Sequence, residues 1–214
     1  MFEGFNESTI GYYQAIRKDN CKNTHKENKM LYFDGVKYPL EELYSELYRY
    51  FSKADGDLLG NKKQCISSAY NDARFCRDAP IKEYFYIRFK LDKVNKKNAP
   101  GFFFDASLTG YTYGLNIYNS DAKGMEKIRE YRLDNRNFAK GVNEKFNESG
   151  LLGVRGEKYK RACYPEEDVI LREWWERRGI SLVHEDGLSD VFFGGDMLEC
   201  MLAGFDSVQD VYFM

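Results

Sequence analysis

CISSAYNDARFCRDAPIKEYFYIRF, residues 65–89, is the stretch whose reading decides the fold. Its end alternates, with Phe85, Ile87 and Phe89 on one face and Tyr84, Tyr86, Arg88 and Lys90 on the other. Strand side chains repeat every two residues, so Tyr84–Lys90 reads as a half-buried β-strand. Lys63–Tyr70 reads as a second strand. Between the two, Asp72, Arg74, Arg77, Asp78 and Lys82 crowd into a short charged loop.

Working outward toward the C-terminus, Lys93–Pro100 reads as a polar loop. Gly101–Leu108 alternates again, with Phe102, Phe104, Ala106 and Leu108 inward. Thr109-Gly110 is a tight hairpin turn, and Tyr111, Tyr113, Leu115 and Ile117 form the inward set of the next strand. Connections this short predict antiparallel neighbours. A helix then runs from Ser120 or Asp121 to about Leu133, facing inward through Met125, Ile128 and Tyr131 or Arg132. A second covers Asn135–Asn147 with Phe138, Val142 and Phe146 inward. Residues 149–164 are a Gly-rich basic connector with a short strand at Lys158–Cys163. Pro165 starts a helix carrying Val169, Leu171, Trp174 and Trp175, of which one tryptophan faces inward. Ile180–His184 is a short strand, and Met197–Phe205 and Val208–Phe213 are helical.

Toward the N-terminus the period changes to that of helices. Residues 8–18 carry Ile10, Tyr12, Tyr13 and Ile16 behind a Ser8 or Thr9 cap, and Asp19-Asn20 ends them. Lys22–Asp34 is a polar helix with Met30, Leu31 and Phe33 buried, stopped by Gly35. Pro39 opens a third helix, where its missing N–H costs nothing. Its stripe is Leu40, Leu43, Tyr44, Leu47, Tyr48 and Phe51, and Asp55-Gly56-Asp57 breaks it. Helices precede and follow the sheet without regular alternation. The fold class predicted is α+β: one domain over residues 1–214, with a central, mainly antiparallel sheet covered by N-terminal and C-terminal helices.

The 17 Tyr and 16 Phe among 214 residues supply a large core and exclude global disorder. Net charge is -2, which argues against a dedicated nucleic-acid binder. The five cysteines include no C-x-x-C pair and read as free thiols of a reducing compartment, so a cytoplasmic protein is expected. No basic and apolar leader opens the sequence, and no apolar run reaches the ~18 residues of a membrane span.

The central stretch resembles the signature of the domain-of-unknown-function 2461 family, a group of bacterial and some fungal proteins. That signature reads approximately R-x-x-R-D-x-R-F, a short spacer, then D-K-x-P-Y-K. Asp72, Arg74 and Phe75 match D-x-R-F, Asp78 matches the later acid, and Pro80, Ile81 and Lys82 match P-Y-K after a one-residue deletion. Ser68 and Asn71 stand where the family has its leading arginines, and Ala79 where it has a lysine. Phe2, Phe5, Thr9-Ile10, Asp19-Asn20, Tyr32 and Pro39 follow the family's N-terminal spacing, although Thr24-His25 replaces an aromatic pair. Gly101-Phe102-Phe103, Gly114 and Ile128-Arg129 are similar to its later strands and helix. The resemblance covers essentially the whole chain. It implies a fold neighbourhood and a candidate site, and no activity.

Two groups of residues are candidates for chemistry. In the central loop, Arg74 and Lys82 can hold a phosphate or carboxylate with Asp72 as orienter and Asp78 beside them. The same residues also fit an ion-pair network that pins the loop. On the outer face of the sheet, Tyr84, Tyr86 and Arg88 lie near Phe103 and Asp105, where an open face makes a polar and aromatic groove. Arg88 and Asp105 equally suit a cross-strand pair. Asn20 and Arg129 stand out only through the resemblance; by themselves they read as a helix C-cap and an exposed helix charge. His25 and His184 are isolated, and His184-Glu185-Asp186 lacks zinc spacing, so no metal is expected. No nucleotide-binding motif is present and no cofactor is expected. The function expected is binding of a small anionic ligand at the central loop. An enzyme with Asp72 or Asp78 as general acid/base and Arg74 stabilising charge is the alternative. A protein-interaction domain with a structural charged loop is the third reading.

Overall fold

The computed structural model describes residues 1–55, 58, 61–76, 78–90, 100–117 and 122–213. Lys93–Ala99, Ser120, Asp121, Gly56, Asp57 and Arg77, used in the sequence reading, lie outside the described residues. The fold is α+β, with helices at both chain ends and a five-stranded antiparallel sheet. Strands β1 (Tyr84–Lys90), β2 (Gly101–Ser107), β3 (Gly110–Asn116), β4 (Gly153–Arg155) and β5 (Ser181–Asp186) take the order β1-β2-β3-β5-β4. Among the described residues, no helix is long and apolar enough to cross a membrane.

The chain divides into two compact units. The first comprises Met1–Phe89, Phe103–Thr112 and Glu185–Cys200; the second comprises Lys90–Phe102, Tyr113–His184 and Met201–Met214.

In the first unit, α1 (Glu7–Lys18) is capped by Asn6, ahead of the expected Ser8 or Thr9. Asn6 Oδ1 accepts from Ser8 N at 2.9 Å, and Thr9 Oγ1 accepts from Asn6 N at 3.3 Å, a reciprocal capping box. The polar segment after it breaks into α2 (Lys22–Glu27) and α3 (Lys29–Tyr32). Met30 is exposed there and His25 is buried, contrary to the expected stripe. Gly35 does not stop the chain. A π-helical turn, Phe33–Lys37, carries it straight into α4 (Tyr38–Ala54), with Pro39 in the first turn as expected. Gly35 is needed because α1 rests on it: a Cβ there would lie 2.3 Å from Thr9 N and 2.4 Å from Ser8 C. The Thr9 hydroxyl also donates to Gly35 O at 2.6 Å. Leu40, Leu43, Tyr44, Leu47 and Phe51 of α4 are buried.

Phe85, Ile87 and Phe89 of β1 are buried as the alternation requires. The strand expected at Lys63–Tyr70 is instead a short helix α5 (Lys62–Cys65) followed by two single bridges, Ile66 to Ile87 and Tyr70 to Ile81. The Ser67 hydroxyl takes the place of a ladder partner by accepting from Tyr86 N at 3.0 Å. The hairpin turn is Leu108-Thr109, one residue earlier than expected, and Gly110 opens β3 at φ +143°. A short helix α9 (Asp190–Phe193) buries Phe192.

In the second unit, α6 (Ala122–Asp134) turns Met125, Arg129 and Arg132 inward. Next, α7 (Arg136–Ser149) buries Ala139, Val142, Asn143 and Phe146 and ends at Gly150 in the left-handed region. Phe138, expected inward, is exposed. β4 pairs with β5 through Gly153–Val183, Val154–Leu182 and Arg155–Ser181, so the connector's strand falls before Lys158–Cys163. Helix α8 (Val169–Trp175) starts behind an Asp168 cap rather than at Pro165, which leaves Val169 exposed. Both Trp174 and Trp175 are buried, where one was expected. The chain ends in α10 (Asp196–Asp206) and α11 (Gln209–Phe213). Phe102 meets Phe205 at 5.4 Å and Tyr212 at 5.2 Å.

Gly35→Ala forces the π turn and α1 apart, so it is expected to cost about 1–3 kcal/mol, the usual range for overpacking. The urea midpoint of unfolding measures it.

Candidate functional site

The central loop uses its own charges. Arg74 Nη2 donates to Asp72 Oδ2 at 2.5 Å, Nε donates to Oδ1 at 3.0 Å, and the Arg74 backbone N–H adds a third bond to Oδ1 at 3.0 Å. The Arg74 side chain is 81% exposed, so the pair is a local turn lock at the surface. Arg74 holds the Asp72 carboxyl below its ordinary range, the reverse of what a general acid needs. Asp78 is exposed. Lys82 Nζ donates to Tyr70 O at 2.5 Å, Ser68 O at 3.1 Å and Ser68 Oγ at 3.2 Å. Its ammonium therefore staples the two arms of the loop, and burial draws its pKa down.

Asn20 belongs to the same fastening. Its Nδ2 donates to Ile81 O at 2.9 Å, and its Oδ1 accepts from Ile81 N at 2.9 Å. One side-chain amide thus pairs with Ile81 as a neighbouring strand would. Asp19, not Asn20, caps α1. Asn71 Nδ2 donates to Ala79 O at 2.8 Å and Ile81 O at 3.2 Å, so this side chain is also a fastener.

On the outer face of the sheet, Arg88 Nη2 meets Asp105 Oδ1 at 2.5 Å, and Nη1 donates to Ile87 O and Phe104 O at 3.1 Å. The guanidinium lies 4.7 Å from the Tyr86 ring and 5.4 Å from the Phe103 ring. The cross-strand pair is therefore present. Beyond it opens a groove of about 720 Å³, lined by Tyr84, Asp105, Ser107, Thr109, Tyr111, Thr112, Glu185 and Asp186 among others. Tyr84 is 45% exposed and stacks on Tyr86 at 6.2 Å. Asp186 accepts from Gly187 N at 2.7 Å and from the Ser189 hydroxyl at 3.1 Å, and lies 3.4 Å from the Tyr111 hydroxyl. Burial, then the Asp186 charge, pushes the Tyr111 phenol up to about 12. Sequence reasoning placed Tyr84 and Asp105 here and missed Glu185, Asp186 and Tyr111. The signal was the Glu185-Asp186 pair, which was weighed only as a metal motif.

Arg129 lies in the second unit and is buried, against the reading as an exposed charge. Its Nε donates to Trp175 O at 3.2 Å, and Nη2 donates to Arg177 O at 2.5 Å and to the Tyr159 hydroxyl at 2.9 Å. It caps the carbonyls at and just beyond the end of α8, where a cation also meets the negative end of the helix dipole.

His25 is buried in the first unit. Its Nδ1 shares a 2.7 Å hydrogen bond with the Tyr12 hydroxyl, and the Tyr32 and Tyr70 rings each meet it edge-on at 5.2 Å. Burial, then the Lys29 charge, holds its imidazole below the ordinary value, so it is neutral near pH 7.

The chain belongs to the DUF2461 family of conserved hypothetical proteins, whose family model matches residues 8–212. That description names no activity. Comparison with curated proteins finds no match.

Asn20→Ala leaves the Ile81 backbone N–H without a partner and Ile81 O with Asn71 alone, and is expected to cost about 1–3 kcal/mol in denaturant unfolding. Arg74→Ala removes an exposed pair and is expected to leave the same midpoint unchanged. The His25 imidazole is depressed in the fold relative to about 6.5 unfolded. Its contribution is complete above pH ~6.5 and is lost as pH falls through the lower folded value. Thermal midpoints of the wild type should therefore drop as pH falls below ~6.5, and those of His25→Phe should drop less.

Proposed function

We propose that this member of the family binds a small polar molecule in the groove beside the β2–β3 turn. The observation that carries this reading is the lining. An exposed tyrosine ring lines it together with carboxylates and hydroxyls, and among the described lining residues there is no Lys or Arg. The volume falls within the usual ~300–1,000 Å³ of ligand sites. Carboxylates and hydroxyls accept from O–H and N–H groups, and the Tyr84 face suits a C–H surface or a cation. A neutral polyol or an amine fits this chemistry better than an anion. Anion binding at the central loop remains the weaker reading, since a ligand there has to displace Asp72 from Arg74 and three oxygens from Lys82. An interaction surface is favoured by one observation: the Phe75 ring at the loop tip is 81% exposed. None of the five cysteines is joined to another in a disulfide, which supports action in a reducing cytoplasm.

The test is thermal unfolding of the full chain with polyols and monosaccharides, amines, and sugar phosphates. A ligand at 100 times its Kd adds about 2.7 kcal/mol, which raises the midpoint by several degrees. The expected result is a polyol or amine response lost in Tyr84→Ala and kept in Arg74→Ala. A response confined to phosphates and lost in Arg74→Ala moves the site to the central loop. Silence across the panel leaves the interaction reading.

A further inference from the structure

Arg132, on α6 in the second unit, is 2% exposed. A guanidinium carries five N–H donors and no acceptor. Its Nε and Nη1 are sealed from solvent and have no hydrogen-bond partner, and among the described residues no carboxylate pairs with it. Its Cζ lies 4.7 Å from the centre of the Trp174 ring. That contact attracts the charge to one face and leaves the Nε and Nη1 N–H groups unanswered.

The other buried groups of this unit show how such charges are ordinarily met. Arg129 has two carbonyls and a hydroxyl. Arg177 donates to Gly156 O at 2.5 Å and pairs with Glu173. Glu176, the buried acid, is taken by the backbone N–H groups of Cys163 and Tyr164, at 3.0 and 2.9 Å. Arg132 alone among these is left over.

Every buried, unpartnered side-chain nitrogen or oxygen among the described residues lies on α6, α7 or α8. Four are nitrogens that carry N–H (Arg132 Nε and Nη1, Trp174 Nε1, Trp175 Nε1), and one is an acceptor, Asn143 Oδ1. The helices are in contact there, since the Phe146 ring meets Trp174 at 5.3 Å and Asn143 Nδ2 donates to Ile170 O at 3.4 Å. The surplus is of donors, and it is centred on a fixed positive charge. A water satisfies an N–H but does not neutralise the guanidinium. Burial lowers the Arg132 pKa to about 10, which still leaves it protonated at neutral pH. An unpaired buried charge is strongly destabilising, and an unsatisfied buried group in a native fold points to an ion or water that completes it.

We propose that the second unit binds a small monoanion at Arg132, of the carboxylate or halide class, with Trp174 Nε1–H as the neighbouring donor. The near-complete burial of Arg132 selects for a small ion. The site is independent of the groove in the first unit.

The experiment titrates the full chain and Arg132→Met with sodium formate and, separately, with sodium chloride, reading the thermal midpoint. The methionine variant carries the general salt effect, so the difference between the curves reports the site. The wild type is expected to rise by several degrees and saturate, while the variant follows only the shallow salt trend. A larger response to formate assigns the carboxylate, and a larger response to chloride the halide. Superimposable curves for both proteins in both salts overturn the proposal. Should Arg132→Met not fold, the Nε–Hε resonance of Arg132 in the wild type is followed through the same titrations. A saturable shift supports the site, and an unmoved resonance overturns it.

Discussion

The packing of Phe5 is the constraint on which the first unit depends. Its ring meets Phe2 at 5.5 Å, Phe85 at 5.0 Å, Phe104 at 5.8 Å and Phe192 at 4.8 Å. Its backbone N–H donates to Phe192 O at 3.1 Å. Three other segments are thereby tied to the N-terminal one through one side chain, each ring pair adding roughly 0.5–1.5 kcal/mol beyond simple burial. With Phe85 and Phe104 held inward, the two-residue period of β1 and β2 turns Tyr84, Arg88 and Asp105 outward. The core and the groove are two faces of the same alternation.

The charges follow a different rule. Most of those that looked functional are answered by the nearest oxygen: Arg74 by Asp72, Lys82 by Ser68 and Tyr70, Arg129 by the end of α8. For Lys82 and Arg129 this meets the demand that charges leaving water gain partners, whereas the Arg74 pair stays at the surface. Arg132 departs from that rule, and the departure carries the anion site. Its neighbour at i−3, Arg129, faces inward from the same helix and is fully engaged, so inward placement alone does not explain the difference.

Expectations failed where a distant segment overrode a local signal. Gly35 reads as a stop signal, yet it is a contact point for α1, 26 residues away along the chain. Asn20 reads as a cap, yet it serves as a strand partner for Ile81, 61 residues away. Phe138 and Val169 fit the helical stripe, yet the buried faces of α7 and α8 run through Asn143 and Trp175 instead. His25 reads as an isolated polar residue, yet it packs as an aromatic among Tyr12, Tyr32 and Tyr70.

The strands β1 to β3, the long helices, the α+β class and the family were legible in the sequence by itself. Periodicity and motif spacing are properties of neighbouring residues, and they survive without the fold. The partners of Asp72, Arg88 and Asp105 were legible as alternatives for the same reason, because each lies on the same turn or on adjacent strands. Only the tertiary structure decided that Lys82 is a staple, that Arg129 is buried, that Glu185 and Asp186 join Tyr84 in one groove, and that Arg132 lacks a counter-charge among the described residues. Burial and pairing depend on which distant segments arrive beside a residue, and a linear sequence does not specify those distances.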